Sequence, residues 1–335
     1  MVTTDDRETR VRESMAKIRP PFTLDPSLCL YSPQDNVDSL NHPRIRDWFD
    51  FTHRRWQPEL PPAKRRILLL LPCTKTKPYV LSTEHKRINA ALIAAGFQPS
   101  QPADPRLVSN ADAPATVSTA PLVHRNGTVI HRAVISEPLG FVPYENLMEY
   151  DAGISPAHQY DDPGLFENRG NAVSPWRADH SATRISATQW KWGPNEKGAY
   201  VVMHNAMADA VAKTLLRFPG VFDQRIAWVA PGLTHRSFVL GRAERAAHGI
   251  AATRMAGAER LALIGVNDLL PPELAITCLP TREHCDDALL RLAARLGVTP
   301  RQATGPFGRG GGDATPLALP ELLETLIAAT RKRAA

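Results

Sequence analysis

The sequence has little of what marks a secreted, metal-bound or membrane-spanning protein. Its 335 residues include 4 cysteines, and none of them stands in the C-x-x-C spacing typical of zinc sites and redox pairs. No window contains the run of about 18 apolar residues that a membrane helix needs. Residues 1–19 are charged and lack the apolar segment of a secretory signal. We therefore expect a reduced, cytoplasmic protein with no membrane segment, no metal and no cofactor.

The chain also has few aromatic residues and no strong net charge of one sign. Aromatic residues make up 7% of the chain, and the formal net charge is only +6. The basic residues stand in short runs such as residues 64–66, so a nucleic-acid partner is compatible with the composition but not indicated by it. With 43% hydrophobic residues, the chain can form one large domain, or a domain with an appendage.

One stretch of the chain holds a dense cluster of reactive side chains. The apolar run Ile67–Leu71 stops at Pro72 and is typical of a buried strand in a parallel sheet. Ligands of open α/β sheets bind beyond the carboxyl ends of the strands. The side chains that follow this strand are those of Cys73, Lys75, Lys77, Tyr79, Ser82 and His85. The alternative is a purely structural turn, in which the cysteine packs and the charges are solvated.

The residues after this cluster predict a helix. In residues 83–95, three aliphatic side chains fall on one face, and Gly96 ends the pattern. His85 would then lie in the first turn. Because the first amides of a helix lack partners within the helix, the junction between strand and helix can bind an anion or another polar ligand.

Further apolar strands and helices predict the fold class. Strands at 67–71, 129–135, 226–230 and 261–266 alternate with helices such as 199–216. This alternation indicates a three-layer α/β domain with a mostly parallel sheet. An Asn-Gly pair just before the second of these strands predicts a hairpin turn with a further short strand.

We expect three parts along the chain. Residues 1–60 form an N-terminal arm and helix that pack on the core, 61–270 form the α/β domain, and 271–335 form a C-terminal helical segment. Within the last part, a glycine-rich link at 305–312 is expected to be flexible and to separate two helices.

The third apolar strand, residues 226–230, repeats the pattern of the first. It is followed by a polar group that includes His235 and Arg236. Since the carboxyl ends of parallel strands meet at one edge of a sheet, both side chains can face the same crevice as Cys73. The alternative is a turn with solvated charges.

Two separated motifs resemble one known family. Residues 72–85 read Pro-Cys-x-x-x-Lys-Pro-Tyr-x-x-Ser-x-x-His, which fits, position for position, a motif of archaeosine synthase. Residues 136–143, followed by Tyr150 and residues 157–161, resemble a second segment of that family in the right order. The resemblance extends over residues 67–161 and is loose beyond them.

The resemblance implies a fold, a substrate and a reaction. The corresponding domain of that family is similar to the α/β fold of uracil-DNA glycosylases, although the water-activating loop of those enzymes is not recognisable here. Archaeosine synthase acts on 7-cyano-7-deazaguanine in archaeal tRNA, where the side-chain amine of free lysine attacks the nitrile and gives an amidine-linked adduct. A radical S-adenosylmethionine partner later cleaves that adduct. By this resemblance we expect a transferase, namely an amidotransferase of the tRNA-modification type.

The resemblance and the residue types together nominate the site residues. Cys73, Lys77 and His85 are the candidate catalytic residues. Glu137 suits the amino and imino hydrogens of a guanine-like edge, or the incoming amine. The full set of candidate substrate-binding residues is Lys75, Tyr79, Ser82, Glu137, Gly140, Tyr160, Asp161, His235 and Arg236.

The residue types in the first motif fit chemistry at a nitrile. A thiolate at Cys73 can add to the nitrile carbon and give a thioimidate, which an amine then displaces. His85 or Lys77 can protonate the nitrile nitrogen and relay the proton from the amine. Tyr79 and Ser82 can hold the base edge or orient His85. A direct attack of the amine, without an adduct on Cys73, stays open.

The chain departs from the family on both sides of the motif. Archaeosine synthase has a transglycosylase-like domain before it and an RNA-binding PUA domain after it, and neither is recognisable here. We therefore expect a separate tRNA- or DNA-binding protein, or a substrate that is DNA, a nucleoside or a small molecule, with lysine or ammonia as the amine donor. Two alternatives are hydration of the same nitrile to an amide, and a non-catalytic module that binds a modified base or nucleic acid.

Overall fold

The computed structural model describes residues 6–162, 164, 172–187, 189–231, 234–310 and 314–331. The helices of these ranges are α1 (Arg7–Met15), α2 (Pro33–Ser39), α3 (Pro43–Asp50), α4 (Thr83–Ala94), α5 (Pro105–Val108), α6 (Pro194–Leu215), α7 (Thr234–Val239), α8 (Arg242–Arg245), α9 (Val266–Leu269), α10 (Arg282–Leu296), α11 (Pro300–Gly308) and α12 (Pro320–Arg331). The strands are β1 (Arg65–Pro72), β2 (Phe97–Pro99), β3 (Leu122–His124), β4 (Thr128–Ser136), β5 (Gly140–Pro143), β6 (Glu149–Tyr150), β7 (Gly153–Ile154), β8 (Thr183–Arg184), β9 (Trp190–Lys191), β10 (Gln224–Trp228), β11 (Thr253–Ala256), β12 (Glu259–Ala262) and β13 (Thr277–Leu279).

The core is a mixed sheet in the order β13-β10-β1-β4-β3-β2, with β5 also paired to β4. Four neighbouring strands, from β13 at one edge through β10 and β1 to β4, run parallel to one another. The strands β2, β3 and β5 are antiparallel additions. In β1, Leu70 lies opposite Ala227 of β10 and Ala133 of β4. This central position explains the unbroken apolar run, because both faces of β1 are covered. The predicted α/β class with a mostly parallel sheet is confirmed.

The order of the strands fixes the faces on which the helices lie. The chain passes from β1 through α4 to β4 on one side, then through α6 back over β1 to β10 on the other side. Connections between parallel strands are right-handed. Two connections that move across the sheet in opposite directions therefore place their helices on opposite faces of the sheet. The α4 helix, against which α12 packs, therefore covers one face, and α6 covers the other. The result is three layers.

Local predictions from periodicity hold for the long elements. The expected helix at 83–95 is α4, and the left-handed Gly96, with φ of 101°, follows it. The helix expected at 199–216 is the C-terminal part of α6. The Asn-Gly turn joins β3 to β4 as an antiparallel pair. In the ranges that the structure describes, no helix is both long and apolar enough to cross a membrane.

The predicted core strand at 261–266 is wrong. In its place β12 pairs with β11 in a separate two-stranded hairpin, and this hairpin packs on α6. The fourth parallel strand is β13, which pairs with β10. At three residues, with Pro280 directly after it, β13 is too short to show a period. The central sheet thus includes a strand that lies past residue 270, where the end of the α/β domain was predicted.

The predicted flexible link at 305–312 is wrong over its first half, because α11 continues to Gly308. Its start carries reciprocal caps: Gln302 N donates to the Thr299 hydroxyl at 3.4 Å, and Thr299 N donates to the Gln302 side chain at 3.0 Å. Such a capping box stabilises the first turn of the helix. Gly305 and Gly308 therefore belong to the end of a helix and not to a flexible loop. Residues 311–313 of the predicted link lie outside the described residues.

The N-terminal arm is tied directly to the two motif segments. Lys77 N donates to Lys17 O at 3.0 Å, and Arg19 N donates to Lys77 O at 2.9 Å. Further along the arm, Leu30 N donates to Asp161 O at 2.9 Å. These backbone bonds clamp the loop after β1 and the segment around residue 161 to the same strip of chain. The arm therefore helps to set the geometry of the site.

Candidate active site

The site lies where the carboxyl ends of β1 and β10 meet. The connection after β1 leads to one face of the sheet and that after β10 to the other, so the switch point at which open α/β sheets form their binding crevice lies between these neighbouring strands. Cys73 follows β1, and its amide donates to Ile135 O of β4 at 3.2 Å. Its Sγ lies 3.6 Å from Nε2 of His235, which stands at the start of α7 after β10. The fold thus brings together one polar residue that follows β1 and one that follows β10.

His235 is held as a neutral imidazole in contact with the thiol. The imidazole is fully buried. Burial lowers its pKa to about 4, and the charge of Asp162 opposes this only in part. The ring is therefore neutral at physiological pH, when one of its nitrogens is free of a proton and can act as an acceptor. A cysteine with a neutral imidazole in contact is the arrangement that activates a thiol as a nucleophile.

Lys77 is held as a buried cation beside this pair. Its Nζ donates to Asp162 Oδ2 at 3.0 Å and to the carbonyl oxygen of Thr74 at 2.6 Å. Burial alone would lower the pKa of Lys77, but the charges of Asp162, Tyr79 and Cys73 raise it above its usual value. Lys77 thus stays an ammonium group, which can stabilise negative charge nearby but is a poor proton donor.

Two tyrosines enclose the Lys77 ammonium. Its Nζ lies 4.7 Å from the ring centre of Tyr160 and 5.1 Å from that of Tyr79, within cation–π range. Both rings are fully buried, and the two hydroxyls and the Ser136 hydroxyl hydrogen-bond to one another. Tyr79 and Tyr160, both predicted substrate-binding residues, thus make contacts that position Lys77.

Replacing Lys77 by methionine is expected to lower the free energy of unfolding by about 3–5 kcal/mol. The Asp162 carboxylate, 9% exposed, would be left without its cation. Denaturant unfolding measures the effect, and the double variant Lys77→Met with Asp162→Asn should recover part of it. The matched control is Lys75→Met, since Lys75 is exposed and its loss should change stability by less than about 0.5 kcal/mol. Equal losses for the two lysines would contradict a buried ion pair at Lys77.

The imidazole of His85 holds the end of β1 in place through hydrogen bonds. Its Nε2 lies 3.0 Å from the carbonyl oxygen of Pro72, and its Nδ1 lies 2.6 Å from the Tyr144 hydroxyl. Burial lowers the pKa of His85 to about 4, so the ring is neutral: Nε2 donates to the carbonyl and Nδ1 accepts from Tyr144. The Ser82 hydroxyl caps α4 by accepting from His85 N at 3.1 Å. Both residues therefore fix the position of Pro72 and Cys73.

Among the other predicted substrate-binding residues, three have clear structural partners. A Cβ on Gly140 would lie 2.9 Å from that of Ala210, and its φ is 69°, so glycine lets α6 pack closely there. Asp161 accepts hydrogen bonds from Ser14 and Lys17 of the arm. The guanidinium of Arg236 donates to carbonyl oxygens of Val229 and Pro280. The guanidinium of Arg236 thus ties the ends of β10 and β13 together.

Glu137 and Lys75 are the two other predicted substrate-binding residues. Glu137 is fully buried directly after β4, the strand beside β1. Burial and the charge of Glu137 raise the pKa of Tyr200 on α6 to about 12, against the opposing charge of Arg254. Glu137 is thus close enough to α6 for its charge to act on Tyr200. Lys75 is exposed in the loop after β1, where its ammonium group can meet a phosphate.

Sequence reasoning missed Asp162 and Tyr144. Asp162 was overlooked because only the first carboxylate of the Asp-Asp pair belongs to the motif segment, yet it is the second that binds Lys77. Neighbouring residues of an extended segment point in opposite directions, so one carboxylate faces the arm and the other the site. Tyr144 directly follows β5, and no local pattern connects it to His85 on α4.

The buried histidines make stability depend on pH. Burial lowers the pKa of His85, His131, His158 and His235 to about 4, and that of His204 to about 3. Unfolded imidazoles bind a proton near pH 6.5. Between pH 6.5 and 4 the unfolded state therefore binds more protons, so the free energy of unfolding rises with pH across this window. Stability is full above pH 6.5 and is lost as the pH falls to 4.

We expect the free energy of unfolding to fall by about 3 kcal/mol or more between pH 7 and pH 4.5. Burial raises the pKa of three carboxyls, that of Glu145 to about 7 and those of Glu84 and Asp161 above their usual values. These groups act in the opposite direction but are fewer than the buried imidazoles. Urea unfolding at a series of pH values measures the slope. A flat profile over this window would contradict neutral, buried imidazoles in the folded state.

Comparison with known proteins indicates no function, so the function is inferred from the residues of the site. No protein-family model, curated protein or solved structure matches the chain. In the described part of the chain, no three histidine, cysteine or carboxylate residues are grouped so that they could hold a metal ion. The residues that the fold brings together are a thiol, an imidazole and a fixed ammonium group, and this set can perform nucleophilic chemistry.

Proposed function

We propose that this chain is an amidotransferase-like enzyme, similar to archaeosine synthase, that adds an amine to the nitrile of a 7-cyano-7-deazaguanine-type base in tRNA, DNA or a nucleoside. The observation that carries the proposal is the contact between Cys73 Sγ and His235 Nε2, 3.6 Å long, at the crevice between β1 and β10. The motif around Cys73 supplies the substrate class, and the contact supplies a nucleophile with a base beside it.

In the first step Cys73 adds to the nitrile. The thiol proton passes to His235, and the sulfur forms a bond to the nitrile carbon while one π bond of the C≡N group breaks. The nitrogen takes the proton back from His235, which gives a thioimidate. One thiol and one nitrile are consumed, and nothing is oxidised or reduced.

In the second step the amine displaces the sulfur. The amine nitrogen attacks the thioimidate carbon, His235 accepts a proton from it, and the C–S bond breaks. Proton transfer from His235 to the departing thiolate restores Cys73 and leaves an amidine. A water molecule in place of the amine would give the amide, so nitrile hydration is the neighbouring reaction of the same site.

The remaining residues position these reactants. Lys77 interacts electrostatically with Cys73, and a nearby cation favours the thiolate form. His85 holds the backbone of Pro72, and thereby the position of the thiol. Glu137 is the group that we assign to the amino and imino hydrogens of the base, because it is a buried carboxylate at the end of the neighbouring strand.

The proposal extends to the fold family, the partners and the compartment. Four parallel strands with helices on both faces support a uracil-DNA-glycosylase-like topology. A separate tRNA- or DNA-binding protein would deliver a nucleic-acid substrate, and a radical S-adenosylmethionine enzyme would process a lysine adduct. All four cysteines are free thiols, which suits the cytoplasm.

The product distinguishes the possible reactions. The full chain is incubated with 7-cyano-7-deazaguanine as base, nucleoside and within an oligonucleotide, each with lysine, ammonia or buffer alone, and the products are analysed by mass spectrometry. An amidine that forms only with an amine supports the proposal, and an amide in every mixture identifies a hydratase. If the protein binds the base without consuming the nitrile in any mixture, it is a binding module and the proposal fails.

A further inference from the structure

A large groove lies on the α4 face of the molecule, away from the Cys73 crevice. It runs between α4 and the C-terminal helices α10, α11 and α12, and its volume is about 1120 Å³. Residues along its length include Ala91, Ala94, Ala95, Leu292, Leu323 and Ile327. The floor is thus apolar, and the alanines of α4 are small enough for another backbone to come close.

The rim of the groove is basic. Arg87, Arg309 and Arg331 border it, and none of them pairs with a carboxylate of the described residues. Two further charges of the rim are already compensated: Arg295 binds Glu321, and Glu324 binds Arg291. The groove therefore offers apolar surface below and uncompensated positive charge at its edges.

We propose that this groove is the docking site for an amphipathic helix of a partner protein, with an apolar face flanked by Asp or Glu. A helix about 10 Å wide that rises 1.5 Å per residue occupies roughly 120 Å³ per residue, so the groove volume corresponds to roughly nine residues. Between two and three turns of helix would bury anchors at positions i, i+3, i+4 and i+7. The acidic flanks would meet the arginines of the rim.

The apolar floor argues against the other classes of occupant. A nucleic-acid backbone gains affinity from phosphate contacts and gains nothing from alanine and leucine side chains. A fatty-acid chain would need one carboxylate partner, whereas the arginines stand along α4, after α11 and at the end of α12. Distributed cations suit a helix with several acidic residues. This inference does not depend on the proposed reaction.

The groove shares an element with the site. Its α4 wall begins at the motif, and Glu84 in the first turn of α4 accepts a hydrogen bond from Thr315 N at 3.1 Å. The C-terminal segment is thereby anchored to the helix that carries His85. A partner bound in the groove would therefore contact the helix that carries His85 and would leave the Cys73 crevice uncovered.

The proposal is tested by selecting, from a displayed library of helical peptides, those that bind the full chain. Peptides of about 14 residues carry apolar residues at i, i+3, i+4 and i+7 with all other positions randomised. Selected peptides are measured by fluorescence anisotropy with the wild type, with Ala94→Glu on the floor and with the Arg87→Glu and Arg309→Glu double variant. Ala258→Glu is the matched control, since Ala258 is exposed in the hairpin on the opposite face. A fluorescent long-chain fatty acid is the second probe.

We expect enriched peptides to carry Asp or Glu beside the apolar positions. Their affinity should fall at least tenfold with Ala94→Glu and with the double variant, and should be unchanged with Ala258→Glu. Circular dichroism checks that every variant is folded. The proposal is overturned if no peptide is enriched, if binding is insensitive to Ala94→Glu, or if only the fatty acid binds.

Discussion

Replacing Cys73 by serine is expected to lower the rate of nitrile consumption by about 10³-fold or more, because the hydroxyl is a far weaker nucleophile than the thiol. The side chains are nearly equal in size, and Cys73 is 7% exposed, so the fold should be kept. Turnover is measured by loss of the nitrile in the presence of lysine or ammonia. Binding of the base, measured by calorimetry, should change little, so kcat and not KM should carry the loss.

The matched control for this substitution is Cys285→Ala. Cys285 lies on α10, away from the crevice, and is partly exposed, so its loss should leave turnover unchanged. A Cys73→Ser protein with wild-type turnover would show that the amine attacks the nitrile directly. Equal losses for both variants would point to general damage to the fold.

Replacing His235 by glutamine is expected to lower kcat by about 10²- to 10⁴-fold, which is the usual contribution of a general base and acid. Glutamine can keep a polar contact with Cys73 but cannot carry the proton between thiol, nitrile nitrogen and amine. Turnover of His235→Gln should therefore depend on added imidazole or another small base. Near-normal turnover without such a base would contradict the assignment of His235.

His85→Gln separates the two histidines. The motif nominated His85 as catalytic, whereas the structure gives both of its ring nitrogens internal partners, the Pro72 carbonyl and the Tyr144 hydroxyl. We expect this variant to lose about 1–3 kcal/mol of stability and only part of its activity, without rescue by imidazole. If His85→Gln were as inactive as His235→Gln and were rescued in the same way, His85 would be the proton carrier.

The part of the fold that could be predicted is the part with long, regular elements. The run Ile67–Leu71 is apolar at every position because β1 is covered on both faces, and the helix after it has a clear apolar face. In contrast, β13 has three residues and gains its place by pairing with β10 far away in the chain. The apolar residues around Leu261 were misassigned because a surface hairpin against α6 shows the same local hydrophobicity as a core strand.

The site shows the same division between local and long-range information. Cys73 and Lys77 could be located because they follow a strand end, where α/β proteins place their ligands. The same argument applied to β10 predicted that His235 lies near the site. It did not predict the direct contact between His235 and the thiol. The carboxylate that binds Lys77 and the hydroxyl that binds His85 depend on how distant segments meet, which spacing along the chain does not encode.

The most direct test of the account is the intact mass of the protein after incubation with 7-cyano-7-deazaguanine in the absence of any amine. We expect the protein to gain the mass of one base, peptide mapping to place it on Cys73, and lysine or ammonia then to release it as an amidine. Cys73→Ser should show no gain, and His235→Gln should form the adduct slowly. Catalytic loss of the nitrile without an adduct on Cys73, even in rapidly quenched samples, would contradict the account.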